Sequence, residues 1–192
     1  MLSLFQLDSF PNEEMAFIFS VLFVIVLIFE LKVLLRQRKS SSDKGSLIFI
    51  IISVFVPLLI TLLANYLSIG KINTNVSYFG IFILLFGFIL RQYSVYVLGK
   101  FFVPVVKLQK GQKLIREGPY RLIRHPSYTG LLLEIAGFGL ALSNIIGFFA
   151  ALLFFIPAVL YRIKIEERFL VQNLKGYKEY VKESWKLVPF VY

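Results

Sequence analysis

Gly118-PYRLIRHPSYTGLLLEIAGFGLALSNIIGFFAALLFFIPAVL-Tyr161 decides the fold. Its second part holds two apolar runs, Ser127 to Leu142 and Ile145 to Tyr161, sixteen and seventeen residues long and separated only by Ser143-Asn144. A helix rising ~1.5 Å per residue needs ~20 residues to cross ~30 Å of hydrocarbon. Each run is short for that, and together they read as a tight helical hairpin dipping most of the way through a bilayer. The first part is different in kind. Thirteen residues, Gly118 to Gly130, hold the only histidine, His125, together with Arg121, Arg124, Tyr120, Tyr128, Pro119 and Pro126. Polar groups this dense at the edge of a membrane span are costly unless they bind something.

Upstream lie three further apolar segments, Met15 to Leu35, Leu47 to Ile69 and Val76 to Leu98. Glu30 and Lys32 interrupt the first near its end, where long side chains can snorkel. Of 192 residues 58% are hydrophobic and 17% charged, against about 25% charged in a soluble domain. The class expected is therefore an all-α integral membrane protein with about five transmembrane helices. It forms a single membrane domain, with three helices in 1–98 and a binding part in 99–192. The absence of cysteine excludes disulfides and thiol catalysis, and one histidine makes a metal centre improbable. Asp8, Glu13 and Glu14 precede the first apolar run, so it reads as a retained helix rather than a signal peptide.

Loop charges set the expected orientation. Arg36, Arg38, Lys39 and Lys44 lie between the first two spans, against Lys71 alone between the second and third. The positive-inside rule then places the N-terminus outside, with the 99–124 loop and the 162–192 tail in the cytoplasm. The net charge of +10 sits in such loops, so its simplest partner is the anionic inner leaflet rather than nucleic acid. From Glu166 to Lys186 the tail reads as one or two amphipathic helices, lying on the headgroups or capping the site.

His125-Pro126 is a plausible helix start, because proline at the first position loses no hydrogen bond. The free N–H groups of Ser127 and Tyr128 would favour an anion there, aided by Arg124 or a protonated His125. The plainer alternative is that Arg124 and His125 only anchor a helix end at the headgroups. A second motif follows the last apolar run, Arg162-Ile-Lys-Ile-Glu166-Glu167-Arg-Phe-Leu170. Arg162 and Glu166, four residues apart, share a helix face and offer cationic and anionic docking points. Glu134 lies about 12 Å inside the fourth helix, where a carboxylate is a functional candidate; pairing with Arg91 and protonation are the alternatives. Gly137, Gly139 and Gly147 are expected to allow close helix packing.

These motifs resemble those of the isoprenylcysteine carboxyl methyltransferase family and its phospholipid methyltransferase relatives. Leu114-Ile115-Arg-Glu-Gly118-Pro-Tyr120, Arg124-His-Pro-Ser-Tyr128-Thr-Gly130 and Glu166-Glu167-Arg-Phe-Leu170 follow the family signature, with the hairpin between them. The resemblance covers about the last 90 residues; Glu134 departs from a stretch that is mostly apolar or aromatic in the family. It implies S-adenosylmethionine held between the cytoplasmic helix ends and the tail, by Val105, Gln112, Lys113, Leu114, Ile115, Tyr120, His125, Pro126, Ser127, Tyr128 and Glu166. Arg162 would clamp the acceptor carboxylate; Glu134, apart from the resemblance, is the further candidate for contact with the acceptor as a carboxylate inside the membrane.

The function expected is methyl transfer to a lipidated or hydrophobic small molecule, an isoprenylcysteine carboxylate first. A phospholipid or other amphiphile methyltransferase is the alternative, with an NADPH-dependent membrane reductase and a non-enzymatic membrane scaffold further off. A carboxylate acceptor needs no general base at pH 7, whereas an amine would need one, and Glu167 or Glu134 would be the only nearby candidates.

Overall fold

The computed structural model describes residues 9–38, 44–102 and 110–190. Among these residues six α-helices follow one another: α1 (Glu13–Arg38), α2 (Lys44–Tyr66), α3 (Val76–Leu98), α4 (Pro126–Ala141), α5 (Ile145–Asn173) and α6 (Tyr177–Glu183). One-turn 3-10 helices occupy Gly99–Phe101 and Gly118–Arg121. Among the described residues the only β pairing is two isolated bridges, Lys71 with Asn144 and Ile123 with Trp185.

Among the described residues four helices, α1, α2, α3 and α5, are long and apolar enough to cross a membrane. About five crossing segments were expected; α4, at 16 residues, is the one that falls short. The outward faces carry bare apolar side chains, Leu59, Phe82, Ile89 and Leu153 each being more than 60% exposed. A water-soluble protein would bury such a surface, and a bilayer covers it. The protein is an integral membrane protein.

α4 is the central helix, buried over most of its length. On one side Phe138, Ala141 and Leu142 join Phe19 and Val26 of α1 and Ile81 and Leu84 of α3. On the other, Leu131, Ile135 and Ala136 pack on Ala151, Phe155 and Val159 of α5. Small residues let α3 and α4 touch backbone to backbone. A Cβ at Gly137 would lie 2.5 Å from the Leu84 nitrogen, and one at Gly87 2.6 Å from the Gly130 carbonyl oxygen.

α4 and α5 form the expected hairpin. The Asn144 side chain accepts from the Gly147 N–H at 3.1 Å and donates to the Ile69 carbonyl at 2.8 Å, capping α5 and tying the hairpin tip to the α2–α3 loop. Ile145 N–H reaches the Gly70 carbonyl at 2.9 Å.

The tail departs from the sequence reading. Glu166 to Asn173 continues α5, because its hydrogen-bond ladder does not stop where the apolar run stops. The chain then turns at Gly176, whose φ of 81° is left-handed and suits glycine. The headgroup-lying alternative fails for Tyr177 and Tyr180, which are buried. Tyr180 Oη donates to the Tyr120 carbonyl at 2.5 Å. Beyond α6 the backbone runs beside 122–125: Trp185 N–H to the Leu122 carbonyl, Arg124 N–H to Trp185 and His125 N–H to Lys186. The tail covers the start of α4.

Candidate active site

At the end of the bundle where α4 begins, a cavity of about 490 Å³ opens between α1, α2, α3, α4, α5 and the tail. It lies within the ~300–1,000 Å³ of ordinary small-molecule sites. Gln112, Lys113, Leu114, Ile115 and Tyr120 line it from the loop. His125, Ser127, Tyr128 and Glu134 line it from α4 and its cap, and Arg162 and Glu166 from α5. Pro126 starts the helix and is not part of the wall. Val105 lies outside the described residues.

The polar focus of the cavity is Tyr128, two residues into α4. Its phenol donates to Glu166 Oε2 at 3.2 Å and is hydrogen-bonded by Arg162. One hydroxyl thus joins the two charged groups of α5, one helical turn apart. Tyr120, Tyr177 and Tyr180 add further phenols to the wall. Burial first, and then the Glu166 carboxylate, push the Tyr120 and Tyr177 phenols well above their usual range. Burial pushes Tyr180 up to about 12. These phenols stay protonated at neutral pH, so they join the Glu166 carboxyl in the wall as neutral aromatic groups. A carboxyl group among aromatic side chains suits an onium cation. The donor set therefore fits the ammonium and sulfonium of S-adenosylmethionine.

Arg124 and His125 have a different use. Arg124 Nε donates to Glu167 Oε1 at 2.6 Å, and Nη1 to the Val181 carbonyl at 3.1 Å and the Ser184 carbonyl. His125 Nε2 lies 3.3 Å from the same Glu167 oxygen. Both are buried. Arg124 locks the start of α4 to α5 and the tail, which goes beyond anchoring to headgroups and leaves it little for an incoming anion. Glu167, weighed above as a base, lines the outer flank of α5 with Lys164 and Arg168 rather than the cavity.

Two residues that the sequence reading undervalued stand in the same wall. Glu30 does not snorkel outward; it takes Arg91 with both oxygens, Nε to Oε1 at 2.6 Å and Nη2 to Oε2 at 2.7 Å. Arg91 Nη1 also donates to the carbonyl and hydroxyl of Ser127 at 3.1 and 3.0 Å. The signal was present, as opposite charges inside two apolar runs 61 residues apart, with nothing in spacing to pair them. Because Arg91 is engaged elsewhere, the pairing weighed for Glu134 is not made. Glu134 is 4% exposed and its Oε1 has no hydrogen-bond partner.

Part of this chain is similar to known proteins. Residues 80–172 match the profile of the isoprenylcysteine carboxyl methyltransferase (ICMT) family. The protein-S-isoprenylcysteine O-methyltransferase B of Arabidopsis thaliana is 34% identical over 119 residues, 60% of this chain and 60% of that one. The cobalt-zinc-cadmium resistance protein CzcN of Cupriavidus metallidurans is 35% identical over 86 residues, 42% of this chain and 38% of that protein. Among solved structures, a eukaryotic intramembrane Ras methyltransferase ICMT aligns with a TM-score of 0.58 and 24% identity, over 73% of this chain and 52% of that chain. That likeness shows a shared fold.

Proposed function

We propose, from the match of residues 80–172 to the isoprenylcysteine carboxyl methyltransferase family, that this chain is an S-adenosylmethionine-dependent membrane methyltransferase. Its acceptor is a carboxylate on a lipidated or otherwise hydrophobic molecule, an isoprenylcysteine first. The observation that carries the reading is one continuous cavity with two different ends. Its polar end holds Glu166, Tyr128 and Arg162; its other end runs between apolar side chains such as Phe23 and Leu27 of α1 and Val54 and Leu58 of α2.

Bound S-adenosylmethionine supplies an electrophilic methyl group on sulfonium. Glu166 and the tyrosines around it hold the cofactor's ammonium end, and the 112–115 loop and the tail close over it. Arg162 holds the acceptor carboxylate. That carboxylate is ionised at neutral pH, so no residue has to remove a proton. What these side chains contribute is alignment of the two reactants and exclusion of water. The apolar end receives the lipid, which enters sideways between helices. The loop charges support an N-terminus outside and a site at the cytoplasmic face.

Calorimetry on the protein in nanodiscs tests the cofactor assignment. S-adenosylmethionine should bind and NADPH should not; NADPH binding alone would favour a reductase, and binding of neither a scaffold.

A further inference from the structure

The mechanism leaves Glu134 without a task, yet it lies in the wall of the cavity. Ser127, Leu131, Glu134 and Phe138 follow one another at spacings of four, three and four, so they form one stripe along α4. All four line the cavity. Glu134 sits about two turns, ~10 Å, deeper than Ser127, past the level at which Tyr128 meets Arg162 and Glu166.

Around it the polar groups do not balance. Glu30 and Glu134 put two carboxyl groups into the cavity, with the Arg91 guanidinium between their helices. All three nitrogens of Arg91 are already used by Glu30 and Ser127. Glu134 Oε1 remains buried with no partner, which is a costly state for a carboxyl oxygen unless something arrives to satisfy it.

We propose that Glu134 reads the methyl acceptor, accepting a hydrogen bond from a donor carried on its hydrophobic stem. This rests on the reading of the cavity as the acceptor site. The acceptor is then an amphiphile with two polar points, a carboxylate at Arg162 and a hydroxyl or amine about 10 Å along its chain. A plain prenyl chain supplies only the first. The pairing reads identity in the way a buried polar group does, by penalising ligands that leave it empty.

Three ligands test this on the protein in nanodiscs: N-acetyl-farnesylcysteine, the same molecule with a hydroxyl on its second isoprene unit, and the methyl ether of that hydroxyl. Affinity is read by calorimetry and methyl transfer is read separately. The hydroxyl ligand should bind roughly 2- to 10-fold tighter than its ether, the worth of one hydrogen bond between uncharged groups. E134L should erase that ratio, and E134Q, which keeps the shape and a carbonyl acceptor, should retain part of it. An equal ratio in wild type and E134L, a preference for the ether, or binding of none of the three would overturn the proposal. A retained ratio without methyl transfer would instead overturn the methyltransferase reading alone.

Discussion

At the scale of single residues, the Tyr128 hydroxyl lies between Glu166 and Arg162, to which the proposed function gives the cofactor and the acceptor respectively. Glu166→Gln removes the charge facing the cofactor's ammonium. S-adenosylmethionine affinity should fall by roughly 10- to 100-fold, as expected for a hydrogen bond to a charged group, and unchanged affinity by calorimetry would remove Glu166 from the site. Arg162→Ala should spare cofactor affinity and lower kcat/KM for a carboxylate acceptor by about 100-fold or more, as loss of a charge-assisted clamp predicts. That these two residues share a helix face was legible in their four-residue spacing; the roles proposed for them rest on the family resemblance. The role of Arg124 was not. Its partner Glu167 is 43 residues away, and only the packing of α4 against α5 reveals that the pair fixes the site rather than filling it.

At the scale of elements, hydropathy located the helices well and their polar ends badly. Val76 to Leu98 was expected as a span and is α3. By contrast α5 runs on to Asn173, since backbone hydrogen bonding continues into water after the apolar residues end. Close packing was expected at Gly137, whereas its partners on α3 could not be known without the third dimension. Gly137→Val should drive a side chain into the Leu84 backbone and destabilise the protein by about 1–3 kcal/mol or more, read as a lower midpoint of thermal unfolding in detergent. The Glu30–Arg91 pair ties α1 to α3, with side chains 22% and 6% exposed. Arg91→Ala strands Glu30 and should cost about 3–5 kcal/mol. Adding Glu30→Leu should recover part of that loss; a double variant no more stable than Arg91→Ala would deny the coupling.

At the scale of the whole molecule, the helix ends that carry charge converge on one end of the bundle, and the tail folds back over them. The convergence was foreseeable, because loop charges put both motifs on one side of the membrane. The cover was not, since Tyr177 and Tyr180 have the spacing of a headgroup-lying helix and are instead drawn into the protein by Tyr120 and the α4 cap. Orientation has a direct test, because the chain has no cysteine. In intact cells an impermeant maleimide should label Asn75→Cys and spare Lys178→Cys until the membrane is opened; the reverse pattern would invert the topology. The central claim is carboxyl methylation within this cavity. It is tested most directly by transfer of labelled methyl from S-adenosylmethionine to N-acetyl-farnesylcysteine by the purified protein in lipid, followed by base treatment of the product. Methanol released by base, and lost with Arg162→Ala, is the expected result. Label that resists base and stays on the lipids would contradict the account.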